Sequence, residues 1–369
     1  MKKSPHIIIA GGGTGGHVFP AIAIANAIKE LEPQAKILFI GAQDRLEMEK
    51  VPQAGYEIVG LPVKGLKRSL SAENIKTLFL LIKAINQTKK IFKSFAPDVV
   101  VGVGGYASAP ALHVARKKNI PIVLQEQNSF PGVTNRIFGA HARKICAAYT
   151  EVYKYFPEEK VVITGNPVRK DITEINISRT QALEYFNLTD DRKTILITGG
   201  SLGARTLNNA VEKYLNMAEK AGINLIWQTG KYYYQQIAEK ISPAPWLKIM
   251  PFIDNMPYAY TAADLVISRA GAITISELSI LGKAVIFVPS PNVAEDHQTK
   301  NAMALVKHHA AYMVPDKEAE QTLMPKAIDL IRNMEELNTL SQNIKKFARP
   351  NATEEIAKIV LNQIQNKTE

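Results

Sequence analysis

Cys146 is the only cysteine in a chain of 369 residues. No disulfide can form within it, and the composition fits a reducing compartment. Apolar runs of the ~18 residues a spanning helix needs are also missing. The nearest approach, IKTLFLLIKAINQTKKIFKSF at 75–95, is broken repeatedly by lysine. MKKSPHIIIA begins basic, but its short apolar run passes straight into glycines, so no secretory leader is expected. No Asp-x-Asp tripeptide occurs, and no Cys/His cluster has metal-ligand spacing, so neither a metal nor another cofactor is expected. No low-complexity stretch and no short repeat is present. Acids are scarce relative to bases, 34 against 45, for a net charge of +11. That excess favours an anionic partner, whether nucleic acid, phosphorylated substrate or acidic membrane face, although solubility alone would account for it.

What remains is an ordinary globular chain, 46% hydrophobic and 21% charged, long enough for two domains. Short β-branched runs at 6–10, 35–41, 98–104, 120–126 and 160–166 predict buried parallel strands. PAIAIANAIKELE, 20–32, has helical apolar spacing. At KTILITGGSLGARTLNNAVEKYL, 193–215, the opening logic of strand, glycine turn and helix starts over, with further strands at 223–229, 247–252, 264–270 and 283–289. The alternation predicts two tandem Rossmann-like α/β domains facing a cleft. Asn-Pro within TGNPVRKDI places the boundary near 166. The expected division is 1–166 for the first domain, 167–345 for the second, and 346–369 for a C-terminal helix packing back toward the first. The tail, 319–366, reads as helical and amphipathic.

Glycines dominate three candidate turns. HIIIAGGGTGGHVFPA contains G-x-G-x-x-G as Gly11, Gly13 and Gly16. Bare backbone lets a phosphate approach closely, and the following helix start faces it with a favourable dipole. A ligand-free tight turn would look the same. A dinucleotide site would want an acid at the end of the second strand for the ribose. Here Gly41 and Ala42 stand there and Asp44 comes late, which weakens that reading. TGGSLGAR, 198–205, repeats the device, with Ser201 as either phosphate donor or helix cap. GVGGYASAP, 102–110, adds a third turn. In SRAGAITISE, 268–277, Glu277 could accept from a ribose diol or simply complement the helix dipole. Asp296, His297 and Gln298 could bond sugar hydroxyls, and Arg169, Arg205 and Arg269 could counter a diphosphate.

GGGTGGHVFPA, GVGGYASAP, QEQNSFPGVTN, GNPVR, GGSLGAR, FIDNM, SRAGAITISE and DHQTKNA together resemble, in order and across essentially the whole chain, the bacterial peptidoglycan N-acetylglucosaminyltransferases. The resemblance implies a GT-B architecture and a metal-independent, inverting hexosyltransferase. Its donor would be UDP-N-acetylglucosamine. Its acceptor would be undecaprenyl-diphosphoryl-N-acetylmuramoyl-pentapeptide (lipid I), and its product lipid II, made at the cytoplasmic face of the membrane by a peripheral protein. An anionic membrane surface and other cell-wall synthesis proteins would be partners; nucleic acid would not.

Carried over, the donor set would be Thr14, Gly15, Gly16, Asn128, Arg169, Ser201, Ile253, Ala272, Ile273, Thr274, Ile275, Ser276, Glu277 and Gln298. Ile253 would present its backbone to uracil, Glu277 would bind the ribose and Gln298 the sugar. Gly13, Gly104, Gly105 and Tyr106 would face the acceptor diphosphate. Many relatives carry His-Glu-Gln-Asn where this chain has Gln125-Glu126-Gln127-Asn128, so a histidine at 125 cannot be essential. A neutral imidazole suits proton abstraction near neutral pH. His17, just past the first turn, is the candidate base, with a substrate-binding role as the alternative; Glu126 is the rival. Lys64, Lys67, Arg68, Lys76, Lys83, Lys89, Lys90 and Lys93, interleaved with Leu78 to Ile82, predict a membrane-surface helix or a core-packed helix with a solvated lysine face. Rival readings are another GT-B lipid glycosyltransferase, a UDP-sugar epimerase, an NAD-dependent oxidoreductase and a nucleic-acid-binding protein.

Overall fold

A computed structural model describes residues 4–65, 72–200, 202–293 and 296–365. The chain forms two compact units, residues 1–169 with 350–369 and residues 170–349. Both crossings fall a few residues beyond the positions suggested by the sequence.

The first unit runs β1 (His6–Ala10), α1 (Gly15–Leu31), β2 (Lys36–Ala42), α2 (Glu47–Gln53), β3 (Glu57–Leu61), α3 (Ala72–Phe95), β4 (Val99–Gly102), α4 (Ala109–Lys117), β5 (Ile122–Glu126), α5 (Val133–Gly139), β6 (Lys144–Ala147) and β7 (Val161–Ile163). Its sheet is parallel in the order β3-β2-β1-β4-β5-β6-β7. Alternate residues of each strand enter opposite cores. Ile8, Val100 and Leu124 pack with Phe92 of α3, Leu112 of α4 and Phe138 of α5. Ile7, Ile9, Val101 and Val123 pack with Ile24 and Ile28 of α1. Because both faces are covered, β1 from Ile7 onward and β4 are apolar, as the III and VVV runs suggest. Cys146 lies fully buried in β6, where burial pushes its thiol up to about 12.

The second unit runs α6 (Lys170–Thr173), α7 (Arg179–Tyr185), β8 (Lys193–Thr198), α8 (Arg205–Lys220), β9 (Ile223–Gln228), α9 (Lys231–Lys240), β10 (Leu247–Met250), α10 (Met256–Ala262), β11 (Leu265–Ser268), α11 (Ala272–Leu281), β12 (Val285–Phe287), α12 (His297–Val306), β13 (Tyr312–Met313), α13 (Asp316–Arg332) and α14 (Met334–Lys345). Its parallel sheet has the order β10-β9-β8-β11-β12-β13. The last helix, α15 (Ala352–Gln365), belongs to the first unit and sinks Ile356, Ala357 and Val360 into the core containing Ile24 and Ile28. The expected helical tail is therefore three helices serving two units.

Strand order reverses between β1 and β4 in the first unit and between β8 and β11 in the second. Open α/β sheets bind ligands beyond the carboxyl ends of their strands at such reversals. The glycine turns after β1, β4 and β8 and the segment after β11 all lie there.

Candidate active site

In the first unit the two glycine turns press backbone against backbone. Gly105 has φ +76, and a Cβ there would stand 2.5 Å from the Gly12 carbonyl oxygen. We expect Gly105→Ala to cost about 2–4 kcal/mol, from strain and overlap together. Urea unfolding of both proteins would measure it, and an unchanged midpoint would contradict the packing described.

Helix α1 starts at Gly15, ahead of the apolar spacing that announces it, so His17 sits in its first turn. Thr14 Oγ1 and His17 Nδ1 are 3.2 Å apart. The other edge of the ring lies over Gly104, whose Cβ, if it had one, would be 2.9 Å from Nε2. The ring of Tyr106 reaches between Gly13 and Gly65. The structure thus brings Gly13, Thr14, Gly15, Gly16, His17, Gly104, Gly105 and Tyr106 to one sheet reversal. Arg169 stacks its guanidinium over Phe19 of α1, 5.8 Å from the ring centroid.

At the end of β5, Glu126 is 1% exposed. Oε1 accepts from the N–H and Nδ2 of Asn128 at 3.0 and 3.4 Å. Oε2 accepts from Gly132 N–H and Asn135 Nδ2 at 3.1 and 2.8 Å. Burial raises its pKa, and these donors oppose the rise. Gln125 faces Asn166, donating Nε2 to its Oδ1 at 3.2 Å.

In the second unit, Ala272 to Glu277 form the first turns of α11 behind Gly271. Ala272, Ile275 and Glu277 are buried, while Ile273, Thr274 and Ser276 are partly exposed. Ser276 Oγ returns to the Ala272 carbonyl. Tyr260, buried in α10, donates its hydroxyl to Glu277 Oε2 at 2.8 Å and fixes that carboxylate. Gln298, in the first turn of α12, accepts Ser290 N–H through Oε1 at 2.8 Å, which turns its NH2 edge the other way. Ile253 is 1% exposed and donates its N–H to Gln228 Oε1. Ser201 lies outside the described residues, between Gly200 and Leu202 of the turn after β8.

Two family models match the chain: the glycosyltransferase family 28 N-terminal domain over residues 7–147 and the family 28 C-terminal domain over residues 194–356. The chain belongs to glycosyltransferase family 28. Proteins from Christiangramia forsetii and Parabacteroides distasonis are each 50% identical to it over 100% of both chains. Both carry the name UDP-N-acetylglucosamine–N-acetylmuramyl-(pentapeptide) pyrophosphoryl-undecaprenol N-acetylglucosamine transferase. The crystal structure of Acinetobacter baumannii MurG is 29% identical, with a TM-score of 0.75 over 97% of this chain and 99% of that one. This family 28 chain is accordingly a glycosyltransferase with two parallel α/β sheets of the GT-B class.

Three features of the family 28 chain escape a reading of its sequence. The first is Glu47 in α2, 1% exposed, which accepts Gly13 N–H through Oε2 and Ala42 N–H through Oε1, both at 2.9 Å. It stands at the end of β2, where a dinucleotide site would want its ribose acid, but both oxygens are committed to backbone. Gly13 N–H points inward at this carboxylate. The second is the pair of buried polar side chains Tyr260 and Gln228. The third is Arg269, expected as a counter-charge for a diphosphate. Its Nη1 donates to the Val288 and Pro289 carbonyls and to Asp316 Oδ1, and Thr206 bonds the other Asp316 oxygen. Arg269 ties together the ends of β11 and β12 and the starts of α8 and α13. Arg205 lies exposed at the first position of α8.

Proposed function

We propose that this glycosyltransferase moves N-acetylglucosamine from UDP-N-acetylglucosamine to the muramoyl 4-hydroxyl of undecaprenyl-diphosphoryl-N-acetylmuramoyl-pentapeptide, producing lipid II by inversion at the cytoplasmic face of the membrane. The observation that carries this reading is full-length identity of 50% to relatives named for that transfer. The geometry supports it: each unit has a glycine turn at a strand-order reversal, competent for a phosphate. The second unit would hold the donor through Glu277, Gln298, Ser201 and the backbone at 253 and 272–276. Thr14, Gly15, Gly16, Asn128 and Arg169 would complete the donor contacts. Gly13 and the turn at Gly104, Gly105 and Tyr106 would face the acceptor diphosphate.

In the reaction the acceptor oxygen attacks the anomeric carbon, the bond from that carbon to the UDP oxygen breaks, and the hydroxyl proton passes to His17. Abstraction at Nε2 needs the tautomer in which Nδ1–H donates to Thr14 Oγ1. Glu126 fits the base role less well, because four donors already occupy its two oxygens. The decisive test is UDP release with and without a lipid I analogue. Acceptor-dependent release supports the reading; release with a different lipid acceptor alone would assign another lipid glycosyltransferase.

Among the described residues no helix is long and apolar enough to cross a membrane. On α3, Leu78, Phe79 and Ile82 are 56, 69 and 50% exposed. Lys83, Lys89, Lys90 and Lys93 are exposed on the same helix, and Lys64 just before it. Lys67 and Arg68 lie outside the described residues, as does the side chain of Lys76. Exposed apolar side chains beside lysines suit an anionic membrane surface, where each cation contributes about 1 kcal/mol. Reversing Lys83, Lys89 and Lys90 to glutamate is expected to weaken binding to phosphatidylglycerol vesicles at least ~10-fold. Unchanged cosedimentation would remove α3 from the membrane assignment.

A further inference from the structure

The side chain of Gln228, the last residue of β9, is 3% exposed and reaches three consecutive strand ends. Nε2 donates to Thr198 Oγ1 at 3.2 Å, where β8 ends, and to the Gly200 carbonyl in the glycine turn at 2.9 Å. Oε1 accepts Ile253 N–H at 2.9 Å, in the segment after β10. One amide thus fastens the turn after β8 to the segment after β10. It also holds the Gly200 carbonyl inward, where Gly203 N–H reaches it at 3.0 Å. A carbonyl turned outward from that turn would repel a phosphate. Gly200 has φ +84, a backbone state in which glycine can readily rearrange, so the carbonyl's direction depends on its partners.

We infer that Gln228 is a positioning residue for the nucleoside diphosphate of the donor: it sets the glycine turn after β8 and the 251–255 segment in the one arrangement that accepts the ligand. This rests on the reading that the second unit binds UDP-N-acetylglucosamine.

The test uses the full chain, with UDP binding by calorimetry and steady-state kinetics on wild type, Gln228→Met and Gln228→Glu. Methionine keeps the volume and removes all three bonds. It should weaken UDP about 10-fold or more and raise donor KM in parallel, since the bonds that hold both segments are lost. Saturated kcat and acceptor KM should change less than about threefold, because uniform binding is what is removed. Glutamate keeps the acceptor for Ile253 and, when protonated, regains an O–H for Gly200. Its UDP affinity should therefore recover toward wild type as pH falls from about 8 to about 5.5, approaching the carboxyl range. Melting temperatures followed over the same pH range separate this from a merely structural role, in which stability and affinity would move together while the folded fraction binds UDP like wild type. If methionine destabilises the fold, shown by a lowered melting temperature, the pH profile of the glutamate variant alone decides. Wild-type UDP affinity in both variants at all pH values overturns the inference. Failure of the wild type itself to bind UDP overturns the donor reading instead.

Discussion

Replacing His17 by alanine lowers kcat by about 10²–10⁴, the usual contribution of a general base, while donor KM stays within a few-fold of wild type. The imidazole is the group at the β1/β4 reversal suited to taking a proton near neutral pH. Its Nδ1 is engaged by Thr14, and its Nε2 edge lies over Gly104. Thr14→Val should cost far less, about 3–10-fold, because it loosens the ring without removing the acceptor nitrogen. Single-turnover rates with saturating donor separate chemistry from product release. Near-normal turnover in the alanine variant would eliminate His17 as base and leave it a binding contact.

The second large effect is on stability. Glu126→Ala should cost on the order of 4 kcal/mol, because it strips the acceptor from Asn128 N–H, Asn128 Nδ2, Gly132 N–H and Asn135 Nδ2 inside a buried loop. Glu126→Gln should cost less, about 1–3 kcal/mol, since one oxygen survives and an NH2 meets the remaining donors. Activity should fall with stability and return when the variants are assayed well below their melting temperatures. A Glu126→Gln protein that melts like wild type yet turns over 10³-fold more slowly would instead make Glu126 the base. The pH dependence has a definite sign. Burial raises this carboxyl's pKa in the folded protein, so folding takes up a proton. The stability this confers is full below the ordinary carboxylate pKa and is lost as pH rises through the raised value. Wild type should therefore gain on Glu126→Gln as pH is lowered, as parallel melting curves would show.

How far the sequence announced these features depends on the range of the interaction. β1, β4, β5 and β8 are central strands buried on both faces, and their β-branched runs carry that burial openly. β3 contains glycine and an exposed glutamate, β6 is four residues long and β13 two, so none offers a window in which a period can be read. α1 begins ahead of its apolar period because glycine is a poor helix former, although a helix beginning at a phosphate-type turn needs bare residues there. Of the site, the local part was legible: the turns, the position of His17 and the GAITISE helix start. The long-range part was not. Nothing in AQDRLEMEK says that Glu47 folds back under a turn 34 residues earlier. Nothing beside Arg269 says that its partner is Asp316, 47 residues on. Glu47 follows β2 and Gln228 ends β9, each on the strand beside the one at its sheet reversal, and that shared placement is the pattern that would have flagged both.

The return of α15 to the core of Ile24 and Ile28 has a consequence for biosynthesis. Residues 170–349 are one uninterrupted stretch and contain every strand and helix of their own core. The segment translated first must wait with one apolar flank bare until α15 has joined it. A chain cut near 350 would therefore keep the second core whole and leave the first short of one wall.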